Sequence, residues 1–174
     1  DSLTGGLGKD AIDGGTGLDT AIYSEKGVSI IATLTGATQA NVFVGGIQED
    51  TIVNVENLNG GTADDILTGD SLGNRLIGNA GKDSLNGSAG TDYLKGGLGV
   101  DALDGGLGSD TADFSEKTAS VAVALSTSTI STAVVGGVAE DTLTNIENVT
   151  GGTANDQLIG SAAINKLVGN QGCL

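Results

Sequence analysis

Aspartate and glycine recur together in this sequence at a fixed spacing of nine residues. From Gly60 onward each unit opens with glycine, carries Asp or Asn at its sixth position and has leucine or alanine at its eighth, as in GGLGVDALD at 96–104. Carboxylate and carbonyl oxygens are hard ligands, and Ca²⁺ takes cages of about six to eight such oxygens. Without a cation, aspartates stacked on one another would repel. The spacing therefore predicts calcium sites that combine aspartates with glycine-rich turns.

The same unit predicts the elements that hold these ligands. Its first six residues are turn material, in which glycine accepts positive φ angles and lets backbones approach closely. Its last three residues place one aliphatic side chain between two small or polar ones, which is typical of a short strand with one inward position. Two units would make one coil, so we predict an all-β fold, a parallel β-roll of stacked nonapeptide turns extended by longer strand-containing coils.

A longer period of 91 residues relates the two halves of the sequence without an insertion, as YSEK at 23–26 and FSEK at 114–117 illustrate. We therefore expect a first tandem unit at 1–91 and a second, truncated unit at 92–174, joined in one continuous solenoid. Incomplete nonapeptides at both ends indicate a piece of a longer array. The predicted nonapeptide turns occupy 1–22, 60–113 and 151–174.

Residues 27–59 and 118–150 lie between these blocks and do not follow the nine-residue rule. They contain longer β-branched runs, which predict strands. We expect the stack to continue through them, with a bulge or hairpin at about 35–50 and 126–141. Their acidic residues are either additional metal ligands or solvated and turn-capping charges, and burial statistics favour the second interpretation. These residues are Glu49, Asp50, Glu56 and their copies Glu140, Asp141 and Glu147.

Composition excludes several classes of function. With 22 acidic and 7 basic residues the net charge is -15, which disfavours nucleic acid as a partner. The absence of histidine excludes a Ser-His-Asp triad and a His-ligated zinc site, and the only phenols are Tyr23 and Tyr93, so we predict no enzymatic activity. No run approaches the roughly 20 apolar residues of a membrane span. The single Cys173 is interpreted as incidental rather than as a functional thiol.

These units resemble the RTX, or hemolysin-type, calcium-binding nonapeptide GGxGxDxUx. GGLGKDAID at 5–13 and GGLGVDALD at 96–104 match every fixed position, whereas GGTGLDTAI at 14–22 and GGLGSDTAD at 105–113 carry alanine at the eighth. The resemblance implies a calcium-binding β-roll attached to flanking domains of a larger chain. It also implies export by type I secretion machinery, folding outside the low-calcium cytoplasm, and a secreted, extracellular or bacterial cell-surface location.

The resemblance implies ligands at the sixth position of each unit and at the carbonyls of the second and fourth positions. The sixth-position candidates are Asp1, Asp10, Asp19, Asp65, Asn74, Asp83, Asp92, Asp101, Asp110 and Asp156. The carbonyl candidates are Gly6, Gly8, Gly15, Gly17, Gly61, Ala63, Asn79, Gly81, Ser88, Gly90, Gly97, Gly99, Gly106, Gly108, Gly152 and Ala154.

Pairing turns two units apart gives four sites in the central block, and Asp1 with Asp19 adds another, so we expect about five or more Ca²⁺ ions. The Asn74 turn and its copy at Asn165 lack a charged ligand and should bind more weakly. Asp10 and Asp156 lack a partner two turns away.

Two functions remain open at this point. One is a calcium-responsive module that folds outside the cell, supports secretion and stabilises a larger secreted or surface protein. The alternative is a tandem-repeat structural rod of a bacterial adhesin or surface-layer protein, with polysaccharide or a second copy of the chain as partner. The low aromatic content disfavours a sugar-binding groove in this segment.

Overall fold

The computed structural model describes residues 1–170, and within that range it consists of strands and turns without a helix. In that part of the chain there is accordingly no helix long and apolar enough to cross a membrane. Cys173 and the end of the last predicted turn, residues 171–174, lie outside the described residues.

The regular elements are 21 short strands. They are β1 (Ser2–Leu3), β2 (Ala11–Asp13), β3 (Thr20–Ile22), β4 (Ile30–Thr33), β5 (Ala40–Val44), β6 (Ile47–Val53), β7 (Asn57–Asn59), β8 (Ile66–Thr68), β9 (Arg75–Ala80), β10 (Ser84–Asn86), β11 (Ala89–Gly90), β12 (Tyr93–Leu98), β13 (Ala102–Asp104), β14 (Leu107–Gly108), β15 (Thr111–Asp113), β16 (Val121–Ala124), β17 (Ser131–Val135), β18 (Val138–Thr144), β19 (Asn148–Thr150), β20 (Gln157–Ile159) and β21 (Lys166–Val168). In every complete nonapeptide the strand starts right after the sixth residue, because the glycine-rich half forms the turn.

Most strands form two sheets to which both 91-residue units contribute. One sheet has eight strands in the order β1-β3-β7-β9-β12-β15-β19-β21, and all its pairings are parallel. The other has eleven strands in the order β2-β6-β5-β4-β8-β10-β13-β18-β17-β16-β20. Successive nonapeptides alternate between the two sheets, so two units make one coil. The predicted all-β parallel β-roll is confirmed.

The core between the sheets is built from the one aliphatic side chain that each short strand turns inward. On the eleven-stranded sheet Leu67, Leu85 and Leu103 pair in register, and each is at most 1% exposed. Their neighbours along the strands point outward and are intermediate or exposed. Because each strand supplies one inward side chain, the core is one thin layer repeated along the roll. Each buried leucine contributes about 1.5–3 kcal/mol to its stability.

Residues 27–59 and 118–150 each add an antiparallel meander to the roll. In the first, β4, β5 and β6 pair antiparallel, and the register shifts at Val42/Phe43. In the second, β16, β17 and β18 repeat this arrangement with a shift at Ala133/Val134. The outer strands of each meander rejoin the parallel stack, β6 beside β2 and β4 beside β8. The expected hairpin and bulge are therefore confirmed.

Candidate metal centre

Aspartates two units apart are linked along one edge of the roll by hydrogen bonds from backbone to side chain. The N–H of Asp65 donates to Oδ1 of Asp83 at 2.9 Å, and the N–H of Asp83 donates to Oδ1 of Asp101 at 2.8 Å. The series continues from Asp101 N–H to Oδ1 of Asp141, also at 2.8 Å. One oxygen of each carboxylate is thus fixed by the preceding coil.

The opposite edge has the same arrangement. The N–H of Asn74 donates to Oδ1 of Asp92 at 2.7 Å, and the N–H of Asp92 donates to Oδ1 of Asp110 at 2.8 Å. The main-chain nitrogen of Asp1 occupies the corresponding place for Asp19, with an N···Oδ1 distance of 2.6 Å, although the Asp1 side chain is exposed. The structure therefore aligns the predicted sixth-position residues in two series, one on each edge.

The second carboxylate oxygen, Oδ2, is buried in these residues and has no hydrogen-bond partner. Among the described residues this holds for nine aspartates, namely Asp10, Asp19, Asp50, Asp83, Asp92, Asp101, Asp110, Asp141 and Asp156. A buried, unpartnered carboxylate oxygen is costly, because water is lost and nothing replaces it. A cation in the turns would supply the partner that each of these oxygens lacks.

Oδ2 lies inside its own turn, against the glycine that opens the unit. A Cβ added to Gly105 would lie 2.6 Å from Oδ2 of Asp110, and one added to Gly5 would lie 2.9 Å from Oδ2 of Asp10. Real Cβ atoms do not approach an oxygen so closely. The first glycine of the motif is therefore required for space rather than for its backbone angles.

The second and fourth residues of six turns have positive φ, which orients consecutive peptide groups differently from a strand. The second residues are Gly6, Gly15, Asn79, Ser88, Gly97 and Gly106, and the fourth residues are Gly8, Gly17, Gly81, Gly90, Gly99 and Gly108. Turns two units apart stack in register, with Gly97 beside Asn79 and Gly108 beside Gly90. The turns whose carbonyls are predicted as ligands are therefore stacked directly on one another.

Other turns have a different conformation. Gly61, Ala63, Gly152 and Ala154 do not have positive φ. In the turn 60–65 the N–H of Gly61 donates to Oδ2 of Asp65 at 2.6 Å, so that oxygen is already satisfied. The repeat pattern predicted the same ligand carbonyls in these turns as in the others. Alanine at the fourth position, however, does not favour positive φ.

The asparagine turns are satisfied by their own amides. In the turn 69–74, Oδ1 of Asn74 accepts the N–H of Asp70 at 2.8 Å, while Nδ2 donates to the carbonyl of Glu56 at 2.9 Å. In the copy, Asn165 accepts from Ser161 N–H at 2.7 Å and donates to the carbonyl of Glu147 at 2.8 Å. An amide that both accepts and donates needs no cation, which agrees with the weaker binding predicted for these turns.

Burial controls the protonation of the aspartates. It raises the pKa of Asp83 to about 7, that of Asp141 to about 7 and that of Asp92 to about 6. Burial also raises the pKa of Asp65, Asp101 and Asp110. The hydrogen bond from a backbone N–H opposes the rise in each case, but one such bond does not offset the loss of water. Without a cation, burial therefore makes these carboxyls bind a proton more tightly than a free aspartate does.

The interpretation of the acidic residues in the intervening segments as solvated or turn-capping was wrong for Asp50 and Asp141. Both are at most 1% exposed and take the sixth-position place in the series. Asp50 accepts the N–H of Asp10 at 2.9 Å, so Asp10 does have a partner, 40 residues along the chain instead of 18. Oδ1 of Asp156 likewise accepts the N–H of Val121 at 2.9 Å.

The other acidic residues of these segments make two kinds of contact. Glu56 and Glu147 accept the backbone N–H of Asp19 and Asp110 at 2.9 and 3.0 Å, so they continue the series on the other edge. Glu49 and Glu140 form ion pairs with Lys26 and Lys117.

A sequence signal for the missed residues exists in the second half of the motif. DTIV at 50–53 and DTLT at 141–144 have the pattern of aspartate followed by an inward aliphatic residue two positions later, without a glycine-rich half before it. The meander separates them from the preceding nonapeptide strand, so the spacing of nine is lost while the place in the stack is kept.

The donor set fits calcium. Within residues 1–170 there is no cluster of three or more acidic or cysteine side chains that would hold a metal on its own. The turns instead offer carboxylate and main-chain carbonyl oxygens, and an all-oxygen set suits a hard cation such as Ca²⁺.

Comparison with known families agrees with this chemistry. A family model of the RTX calcium-binding nonapeptide repeat matches four copies at residues 1–21, 73–112 and 147–172, which together cover half of the chain. The chain belongs to this family. The longest match, 73–112, contains four of the turns with positive φ at both their second and fourth residues. No curated protein matches the sequence.

RTX repeats bind calcium through a β-roll and form a structural domain. The matched ranges leave out residues 22–72 and 113–146, which include both meanders.

Proposed function

We propose that this chain is a calcium-responsive folding module of a larger secreted or cell-surface bacterial protein. In the low-calcium cytoplasm it stays unfolded and fits type I secretion machinery. Outside the cell Ca²⁺ binds in the turns, the roll folds, and it stabilises the flanking domains. RTX repeat proteins are typically secreted by bacteria, which supports this location.

The observation that carries the proposal is the row of buried Oδ2 atoms without partners. The unpartnered oxygens of Asp83, Asp92, Asp101 and Asp110 all occur in turns whose second and fourth residues have positive φ. We propose that the ions lie between turns of this set that are two units apart, 78–83 with 96–101 and 87–92 with 105–110, and in the turn at 14–19. Without cations, the cost of burying these charges and of ordering glycine-rich turns opposes folding.

Cations would therefore act as ligands of the folded state only. A ligand that binds the folded but not the unfolded chain stabilises it by RT ln(1 + [L]/Kd) for each site. With several sites this contribution changes steeply with concentration, so a modest rise in calcium on leaving the cell would convert an unfolded chain into a folded one.

The test is a far-UV circular dichroism titration of the chain with Ca²⁺, with Mg²⁺ as the matched control and with a chelator to reverse the change. We expect β-structure to appear with Ca²⁺ at about 0.1–1 mM, as for extracellular modules, and to be absent with Mg²⁺, which demands a tighter octahedral site. A chain that is folded to the same extent in chelator would overturn the proposal.

A second candidate is a structural rod of an adhesin or surface-layer protein. The observation that favours it is that both 91-residue units fold alike, each with a meander between blocks of parallel coils, so that copies can be added without a change of architecture. Atomic force measurements on chains of two and of four units would test it, because a rod predicts that the contour length doubles when the number of units doubles.

A further inference from the structure

Lys26 and Lys117 are two lysines with almost completely buried side chains. They are the last residues of YSEK and FSEK, at the same place in the two tandem units, and each is 7% exposed. Lysine is rarely buried unless its charge is paired. A buried ammonium that recurs at one place in the repeat therefore needs a structural reason.

The ammonium groups contact the carbonyls of glycine-rich turns. Nζ of Lys26 donates to the carbonyl of Gly6 at 2.6 Å and to Oε1 of Glu49 at 2.6 Å. Nζ of Lys117 donates to the carbonyl of Gly97 at 2.5 Å and also to Oε1 of Glu140. Gly6 and Gly97 are second residues of nonapeptide turns, with φ of 85° and 105°. The resemblance to the RTX family implies that the carbonyls of Gly6 and Gly97 are calcium ligands.

The backbone holds each lysine in place at both sides. The N–H of Lys117 donates to the carbonyl of Phe114 at 2.9 Å, and its own carbonyl accepts the N–H of Thr153 at 2.9 Å. The ring of Phe114 is buried in the core. Lys26 has the same contacts to Tyr23 and Thr62, at 2.9 and 3.0 Å. The side chain is thus aimed into the turn by a tight loop and an aromatic anchor.

The carboxylates beside each ammonium are those at the junction with the meander. Asp101 N–H donates to Oδ1 of Asp141, and Oδ2 of both residues is buried without a partner. In the first unit Asp10 and Asp50 are related in the same way.

We infer that the ammonium groups of Lys26 and Lys117 take the place of a calcium ion at the two junctions where a nonapeptide turn meets a meander. The coil that follows such a turn carries an aspartate but no glycine-rich half, so it offers fewer carbonyls for an ion. A tethered cation supplies positive charge there at every calcium concentration. Removing the ammonium turns the junction into a calcium site.

This inference rests on the proposed function, because it assumes that calcium occupies the other turns. The test counts the Ca²⁺ ions bound per chain at saturating calcium by native mass spectrometry. Lys117→Met keeps the length of the side chain and removes its charge. We expect it to bind one Ca²⁺ more than the wild type, and Lys26→Met/Lys117→Met to bind two more.

Two control variants separate the junction from a general loss of positive charge. Lys117→Arg keeps a cation at the turn and should leave the count unchanged. Lys95→Met removes a partly exposed lysine that pairs with Glu116 at 3.1 Å and with Asp113 at 3.9 Å, and it should also leave the count unchanged.

The outcomes distinguish the two ideas. A wild type without bound calcium overturns the proposed function and this inference with it. A wild type that binds calcium, together with a Lys117→Met variant of unchanged count, overturns the inference alone. So does a Lys117→Met chain that stays unfolded at every calcium concentration, because a site for a cation should accept Ca²⁺ once the ammonium is gone.

Discussion

The N–H of Asp83 donates to Oδ1 of Asp101 at 2.8 Å, while Oδ2 of Asp101 is buried without a partner. One carboxylate therefore has two separate tasks: one oxygen joins adjacent coils, and the other is available inside its own turn. Asn74 joins adjacent coils through Nδ2, which donates to the carbonyl of Glu56, and its uncharged Oδ1 accepts the N–H of Asp70 inside its own turn.

Replacing an aspartate of the series should weaken calcium-induced folding strongly. Asp83→Ala and Asp101→Ala each remove a buried hydrogen bond to a charged group, worth about 1.5–3 kcal/mol, together with an oxygen of the cage. We expect the calcium midpoint in circular dichroism to rise by about tenfold or more, since 1.4 kcal/mol corresponds to about tenfold.

Asp64→Ala is the matched control for these variants. Oδ1 of Asp64 also accepts a backbone N–H two units along, from Lys82 at 2.8 Å, but this residue is exposed. It should shift the midpoint by less than about threefold, as surface substitutions do. Equal shifts in all three variants would contradict the assignment of the sixth-position ligands.

Asn74→Asp should lower the stability of the chain at low calcium and raise its affinity for calcium. The new carboxylate loses the Nδ2 donor to the carbonyl of Glu56 and lies near Asp70, so the chain should unfold more easily at low calcium. With a charged ligand in the turn, calcium affinity should rise. Isothermal titration calorimetry and urea unfolding at two calcium concentrations would measure both effects. Unchanged affinity would mean that the turn 69–74 holds no ion.

Gly99 should tolerate alanine less well than a glycine of positive φ in open space. Gly99 has φ of 136°, and a Cβ there would collide with the carbonyl of Gly81 in the turn below. Gly46 has φ of 80° with nothing near its Cβ position. Gly46→Ala should cost about 1–2 kcal/mol for the left-handed backbone alone. Gly99→Ala should cost more in urea unfolding with calcium present, and an equal cost would refute the close stacking of these turns.

In calcium-free buffer, acid should favour the folded chain. Burial raises the pKa of Asp83 to about 7 and that of Asp92 to about 6 in the folded state, against 3.8 for a free side chain. The folded state therefore binds protons more tightly, so this stabilisation is complete below about pH 4 and is lost as pH rises through 6 to 7. Circular dichroism should show more β-structure at pH 5 than at pH 7.5. More β-structure at pH 7.5 would contradict it.

The repeat made much of this molecule predictable. A fixed spacing of Asp and an aliphatic residue placed the short strands, their inward residues and the stacking of Leu67, Leu85 and Leu103. Asn79 and Ser88 have positive φ at the second place of their units, so residues other than glycine also adopt this turn conformation.

Two contacts could not be predicted from the spacing of residues in the sequence. The partnership of Asp10 with Asp50 crosses a meander, and such long-range pairing is determined by how strands stack rather than by distance along the chain. The contact between Lys117 and the carbonyl of Gly97 is similar, because nothing in FSEK indicates that its lysine points inward. Tertiary packing determined both.

The meanders have a consequence for tandem copies. Between β3 and β9 the eight-stranded sheet has one strand, whereas between β2 and β8 the eleven-stranded sheet has three. At about 4.8 Å per strand, one face of each copy is longer than the other by roughly 10 Å. Adding copies should therefore bend the solenoid steadily toward its all-parallel face, so that a long array describes an arc with a concave and a convex side.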